Sequence, residues 1–309
     1  MRLIVLGAGA IGSLLGGLLS EVGLDVTLVG RQAHTKAIRS RGLHISGVVG
    51  SKTIRIESEA SASAIKGKAD MILCTVKAYD TEQAATDAKT LMGKDSIFLC
   101  MQNGLGVENE AAKVLGEANV TRGVTNTGAL LVKPGYIECT GVGDTIVGCP
   151  NEDWKPKISG LVEALNSAGL PAMLTRNISN AVWTKVLVNV GINAIGAITR
   201  LKNGDLLSNP YLKDLMRSAV TEALAVSEKA GLNLKKEDIV EKTFKIAEAT
   251  AANKNSMLQD AEKGKRTEID FINGAVARIG KSIGIPTPIN DTLTALVKGA
   301  ESRALRNET

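Results

Sequence analysis

Aromatic side chains make up only 3% of this 309-residue chain. Its core must therefore be built from Leu, Ile, Val and Ala, and stacking platforms for single-stranded nucleic acid are excluded as a main theme. Histidine is rarer still, with only His34 and His44, so the usual acid–base side chain is absent from the C-terminal half. The four cysteines, Cys74, Cys100, Cys139 and Cys149, include no pair at CxxC spacing. That spacing gives no zinc or redox motif, and no metal site is expected. Cys74 and Cys100 lie inside apolar, strand-like runs and read as buried thiols, which suits a reducing cytoplasm. No run of 18 uncharged apolar residues occurs, so no membrane span is expected. Gly7, Gly9, Gly12, Gly16 and Gly17 interrupt any signal-peptide pattern near Met1. Charge is mild at +5, and the run Lys263 to Arg266 reads as a solvated helix end.

What is present has two characters. Leu3–Leu6, Asp25–Val29, Met71–Val76 and Ile97–Met101 read as buried strands. Ile11–Val22, Thr81–Leu91 and Val107–Leu115 read as the helices between them. This alternation predicts an α/β Rossmann-type domain over residues 1–174. Gly-punctuated runs at 42–57 and 123–148 suggest hairpins or a meander, and Trp154–Ala168 with Pro171–Leu174 would close the domain. Beyond Thr175 strand-like runs vanish. An all-α domain over 175–309 is expected, with helices at Ile178–Ile195, Tyr211–Ala230, Lys236–Ala252, Thr267–Ile283 and Thr287–Ala300. Asn203-Gly204, Asn209-Pro210 and Gly231 read as its punctuation.

Gly7-Ala8-Gly9-Ala10-Ile11-Gly12 follows a strand and opens a helix. In that context G-x-G-x-x-G cradles a pyrophosphate: the first glycine turns, the second admits the phosphates and the third packs the helix on the strand. A ligand-free glycine turn is the bland alternative. The second strand ends at Val29-Gly30-Arg31, where an NAD site would place an acid. A guanidinium there suits a 2′-phosphate and so NADP, against the alternative of an ordinary surface arginine.

Lys185, Asn189 and Asn193 recur every fourth residue along a stretch otherwise rich in Val, Leu and Ile. On a helix they form one polar stripe. Buried, such a stripe is costly without partners or a ligand. An internal structural network involving Glu268 is the alternative to a substrate site. Further on, Asn253-Lys254-Asn255-Ser256 is a polar cluster. Thr267 with Asp270 fits a capping box, which would make Glu268 a first-turn helix residue stabilised by the helix dipole.

Taken together, these residues resemble the ketopantoate reductase (2-dehydropantoate 2-reductase) family over nearly the whole chain. The resemblance is carried by the glycine loop, Thr75-Val76-Lys77-Ala78, Gln102-Asn103-Gly104-Leu105-Gly106 and Trp183-Thr184-Lys185-Val186-Leu187. It continues through Ser256-Met257-Leu258-Gln259-Asp260 and Thr267-Glu268-Ile269-Asp270. It implies a soluble cytoplasmic oxidoreductase that reduces 2-dehydropantoate to (R)-pantoate with NADPH, on the route to pantothenate and coenzyme A. It also implies a site in the cleft between the two domains. Lys185 matches the family's proton donor, and Glu268 a residue at the nicotinamide end. Asn189, Asn193 and Asn203 match substrate-binding positions, as does the segment from Asn253 to Ser256. Lys77, Asn103 and Ala129 match cofactor contacts beside the loop from Gly7 to Gly12 and Arg31. Gln102 and Thr127 stand where many members carry His. The implied partner is a small molecule, with neither nucleic acid nor membrane, and a homodimer is left open. Two other readings stay in view: a reductase of another 2-oxo acid, and an NADP-sensing regulator without chemistry.

The chemistry agrees with the residues. Hydride transfer to a ketone leaves charge on oxygen, and a buried lysine can both stabilise and protonate it.

Overall fold

The computed structural model describes residues 1–232, 234 and 236–306. The chain divides into two compact units: residues 1–102 with 107–178, and residues 103–106 with 179–309. The division along the chain follows Ile178, compared with the expected Leu174.

In the first unit the apolar run of β1 (Arg2–Leu6) lies between β2 (Asp25–Val29) and β6 (Ala69–Cys74). An eight-stranded sheet extends on both sides of it. β5 (Glu57–Glu59) lies beyond β2, and β7 (Met92–Cys100), β8 (Val120–Thr125), β11 (Thr145–Gly148) and β12 (Ala172–Thr175) follow β6 in that order. All neighbours are parallel except β8 and β11. Parallel strands buried on both faces need continuous apolar sequence, and Leu3, Ile4 and Val5 have no exposed surface. Each such side chain contributes roughly 1.5–3 kcal/mol of burial.

Four helices accompany this sheet: α1 (Ala10–Glu21), α2 (Gln32–Arg41), α3 (Thr81–Ala88) and α4 (Val107–Leu115). The polar composition of α2 gives no sign of it in the periodicity. α5 (Lys155–Ser167) precedes β12.

The central parts of the Gly-punctuated runs form a second sheet, while the ends of the later run, in β8 and β11, stay in the first. β3 (Leu43–Gly47) and β4 (Lys52–Ile54) make one antiparallel hairpin, and β9 (Gly128–Lys133) and β10 (Tyr136–Gly141) the other. β3 and β10 then pair in parallel, giving the order β4-β3-β10-β9. This sheet packs on α1, where Leu15, Leu18, Leu43, Ile45 and Ile137 share one core.

The second unit is helical. It comprises α6 (Ser179–Thr199), α7 (Asn203–Ser208), α8 (Pro210–Lys229), α9 (Lys236–Ala249), α10 (Ser256–Glu262), α11 (Asn273–Ser282) and α12 (Pro288–Arg306). α6 is long and apolar enough to cross a membrane, but most of it is buried among the other helices.

Two expectations need correction. Asn203-Gly204 opens helix α7 instead of punctuating. Residues Thr267–Ile283 are not one helix. A 3-10 turn at Ile269–Phe271 is broken from α11 by Ile272, at φ −109° and ψ −98°. The capping box fails because its groups are engaged elsewhere. The Thr267 N–H donates to Glu301 at 2.7 Å, and the Asp270 carboxylate takes Lys298 at 3.0 Å and Arg266 at 3.3 Å.

Candidate active site

The glycine loop sits where β1 ends between β2 and β6, the point at which strand order reverses. Leu6 is level with Val29 on one side and Cys74 on the other. Gly7 has φ +102°, and a Cβ there would stand 2.4 Å from the Val76 nitrogen. A Cβ on Gly12 would meet Thr75 Oγ1 at 2.3 Å and the Gly7 oxygen at 2.4 Å. These two glycines are therefore demanded by packing. Gly9 is different: its Cβ position meets only the Gly7 oxygen, at 3.8 Å, and otherwise open space. Gly9 is the N-cap of α1, without a side-chain cap, and the first turn, which includes Ala10 and Ile11, carries no acid. Such a helix start leaves N–H groups and a partial positive charge for an anion. The loop thus fits a dinucleotide pyrophosphate.

Gly30 brings the next strand's exit onto this loop, since its Cβ would lie 2.8 Å from Ala8 Cβ. Arg31 follows as the exposed N-cap of α2. Lys77 is half-buried just past β6 and caps the 3-10 turn 78–80. Ala129 lies on β9, packed against the core that α1 shares. Gln102 turns inward, donating to Cys74 Sγ and Thr81 Oγ1, both at 3.0 Å. Burial pushes the Cys74 thiol up to about 12, which leaves it no nucleophilic role. Thr127 is buried and bonds the Gly143 backbone at 3.0 Å.

In the second unit the stripe on α6 is real. Lys185 and Asn189 are half-buried and Asn193 is buried, whereas Val186, Leu187 and Val190 are core. Asn103 belongs to this unit. Gly104, at φ +100°, lies flat against Phe271, and the Leu105 N–H donates to the Phe271 carbonyl at 2.8 Å. That close approach brings Asn103 Nδ2 to 3.5 Å from Glu268 Oε2, the long edge of a hydrogen bond. Glu268 is only 7% exposed and stands at the start of the 3-10 turn.

The remaining asparagines are gathered at α7. The Asn203 N–H donates to the Asn253 carbonyl at 3.1 Å, and its Nδ2 to Thr250 Oγ1 at 2.9 Å. Gly204 makes room for this, because a Cβ there would meet Ala251 at 2.6 Å. The side chains of Asn253 and Ser256 are exposed. Asn255 lies inside the Asn253 to Ser256 segment that the resemblance assigns to the substrate. Its Oδ1 accepts the Leu258 N–H at 2.9 Å, capping α10, and its Nδ2 packs on Gly196 of α6. An Asn directly before Ser-Met-Leu is the sequence signal for this capping role. Asn203 Oδ1 and Asn255 Nδ2 are buried without a hydrogen-bond partner among the described residues. Such atoms are costly unless water or a ligand meets them.

Comparison with known proteins places this geometry. A family model described as ketopantoate reductase PanE/ApbA matches residues 3–152, and its C-terminal counterpart matches 177–301. The chain belongs to the ketopantoate reductase family. It is 41% identical over 304 residues to a 2-dehydropantoate 2-reductase of Pyrococcus horikoshii, with 98% of each chain covered. It is 39% identical over 306 residues to that of Archaeoglobus fulgidus, covering 97% of this chain and 98% of the relative. Among solved structures, a PanE/ApbA family ketopantoate reductase from Ralstonia eutropha superposes with TM-score 0.91 at 31% identity, covering 99% of this chain and all of the other. D-mandelate dehydrogenase with NADH and anilino(oxo)acetate superposes with TM-score 0.92 at 27% identity, covering 98% and 99%.

Proposed function

We propose that this chain reduces 2-dehydropantoate to pantoate, with NADPH as the reductant. The observation that carries the reading is the α6 stripe: one cation, Lys185, at the head of two amides on a helix otherwise given to the core. Relatives of this chain are named for reduction of 2-dehydropantoate, a 2-oxo acid, and the side chains here suit such a substrate. When bound, the reduced nicotinamide supplies a hydride to the ketone carbon. Everything else falls to the protein's own groups. The Lys185 ammonium stabilises the charge developing on the carbonyl oxygen and gives that oxygen its proton. Asn189, Asn193, Asn203, Asn253 and Ser256 hold the carboxylate and hydroxyl ends of the substrate with neutral groups. The Asn203 Oδ1, a buried acceptor with no partner among the described residues, suits the hydroxyl. Glu268, 3.5 Å from Asn103, orients the nicotinamide end of the site.

The finer choice of NADPH over NADH rests on Arg31, beside the uncapped start of α1. Lys77 would add a second cation near the phosphates. An assay of NADPH oxidation with 2-dehydropantoate tests the whole reading, run beside a panel of other 2-oxo acids. Turnover restricted to a different acid such as an aryl 2-oxo acid, which the D-mandelate dehydrogenase likeness brings into view, would replace the substrate. Cofactor binding without turnover on any of them would leave a sensor.

A further inference from the structure

His34 is a buried titratable group that the reaction above does not use. It lies in the first turn of α2 with 3% exposure, and both ring nitrogens are engaged. Nδ1 lies 3.0 Å from the Gly135 nitrogen, and Nε2 lies 3.0 Å from Ser13 Oγ. A backbone N–H can only donate, so Nδ1 is the acceptor and the ring's proton sits on Nε2, which donates to Ser13. The ring is therefore neutral, in one fixed tautomer.

Its partners lead to the loop and to Arg31. The Ser13 N–H donates to the Gly9 carbonyl at 3.1 Å, so Ser13 closes the first turn after the open glycine. The His34 N–H donates to the Arg31 carbonyl at 2.9 Å. Gly9, Ser13, His34 and Arg31 thus form one chain of hydrogen bonds running through a single imidazole. On its other side the ring holds the tip of the β9–β10 hairpin. There Gly135 has φ +77° and lies close on Ala37, and the Pro134 carbonyl accepts Arg41 at 2.7 Å.

We propose that His34 is a positioning residue for the cofactor: through Ser13 it fixes where Arg31 stands relative to the glycine loop, and so sets the preference for a dinucleotide bearing a 2′-phosphate. A dinucleotide spans a fixed distance from pyrophosphate to ribose phosphate. An arginine on a freely moving helix start would meet that phosphate only part of the time, whereas one tied to the loop meets it without ordering cost. The proposal rests on the reading of the loop and Arg31 as the cofactor site.

The test uses the full chain and four variants: Arg31→Ala, Ser13→Ala, His34→Asn and His34→Gln. Dissociation constants for NADPH and NADH are measured by fluorescence titration, alongside melting temperature. Ser13→Ala removes one oxygen and keeps the fold. It should cut the NADPH-to-NADH preference by about threefold to tenfold, the worth of one hydrogen bond. His34→Asn can keep the acceptor for Gly135 but cannot reach Ser13, and should do the same. His34→Gln can still donate to Ser13 and should retain most of the preference. A purely structural role would lower the melting temperature and weaken both cofactors equally, with the ratio unchanged. The proposal is overturned if Arg31→Ala loses the preference while Ser13→Ala and His34→Asn keep it. If Arg31→Ala itself leaves the ratio unchanged, the assignment of Arg31 has failed, and the proposal falls with it.

Discussion

Asn103 and Glu268 are 165 residues apart in sequence, yet the amide nitrogen of one stands 3.5 Å from a carboxylate oxygen of the other. The contact exists because Gly104 allows the chain to lie against Phe271. It sets Asn103 beside a buried carboxylate of the unit that also carries Lys185. Lys185→Ala should keep the fold and NADPH affinity and lose about 10²–10⁴ in kcat, as expected for a positioned acid. Glu268→Gln should also be impaired, and the two losses should combine less than additively if the groups act together. Steady-state kinetics on both single variants and the double variant check this. A folded Lys185→Ala enzyme with near-normal kcat would return the lysine to a structural role.

The glycines of the loop should separate cleanly. Gly9→Ala faces open space, so melting temperature should barely change while cofactor affinity falls by about tenfold, or 1.4 kcal/mol. Gly12→Ala drives a methyl into Thr75 and the Gly7 carbonyl, and should destabilise by about 1–3 kcal/mol. Thermal denaturation with and without NADPH measures both effects. Equal loss of stability in the two variants would contradict the cradle.

Substrate recognition should divide between exposed and buried groups. Ser256→Ala removes an exposed hydroxyl and should raise KM for 2-dehydropantoate by about tenfold with kcat little changed. Asn203→Ala also breaks the bond to Thr250, so it should raise KM and lower stability together. Initial-rate measurements with a melting curve for each variant distinguish them. An unchanged KM in Ser256→Ala removes that residue from the site.

Acid should loosen the first unit through His34. Burial lowers its pKa below the ordinary 6.5, because the charged ring would be desolvated. Nδ1 would also lose its role as acceptor from Gly135. The unfolded chain takes up the proton near 6.5, while the folded chain resists it. The neutral ring's contribution is therefore complete above 6.5 and is lost as pH falls from 6.5 toward the folded value. Melting temperature followed from about pH 8 to pH 5 should drop less steeply in His34→Gln than in the parent. Parallel curves would assign the acid sensitivity to other groups.

The sequence alone determined the elements with strong local period or strong local chemistry. Buried parallel strands must be continuous apolar runs, so β1, β2 and β6 were legible within a residue or two. The glycine loop was legible because a left-handed turn at Gly7, close packing at Gly12 and an open approach at Gly9 each favour glycine, and the α6 stripe because four-residue spacing survives on any helix. Tertiary structure decided what depends on partners distant in the chain. The parallel pairing of β3 with β10 joins two hairpins that local pattern could only suggest separately. The placement of residues 103–106 with the helical unit follows from their contacts with Phe271 and Glu268, far along the chain. Glu268 starts a 3-10 turn because Glu301 and Lys298 take the groups that a local capping box would have used. His34 looked idle in sequence, since nothing in its neighbourhood names Ser13 or Gly135. A period or motif describes a residue's own segment, whereas the hydrogen bonds that fix its tautomer, burial and role come from whichever segments packing brings alongside.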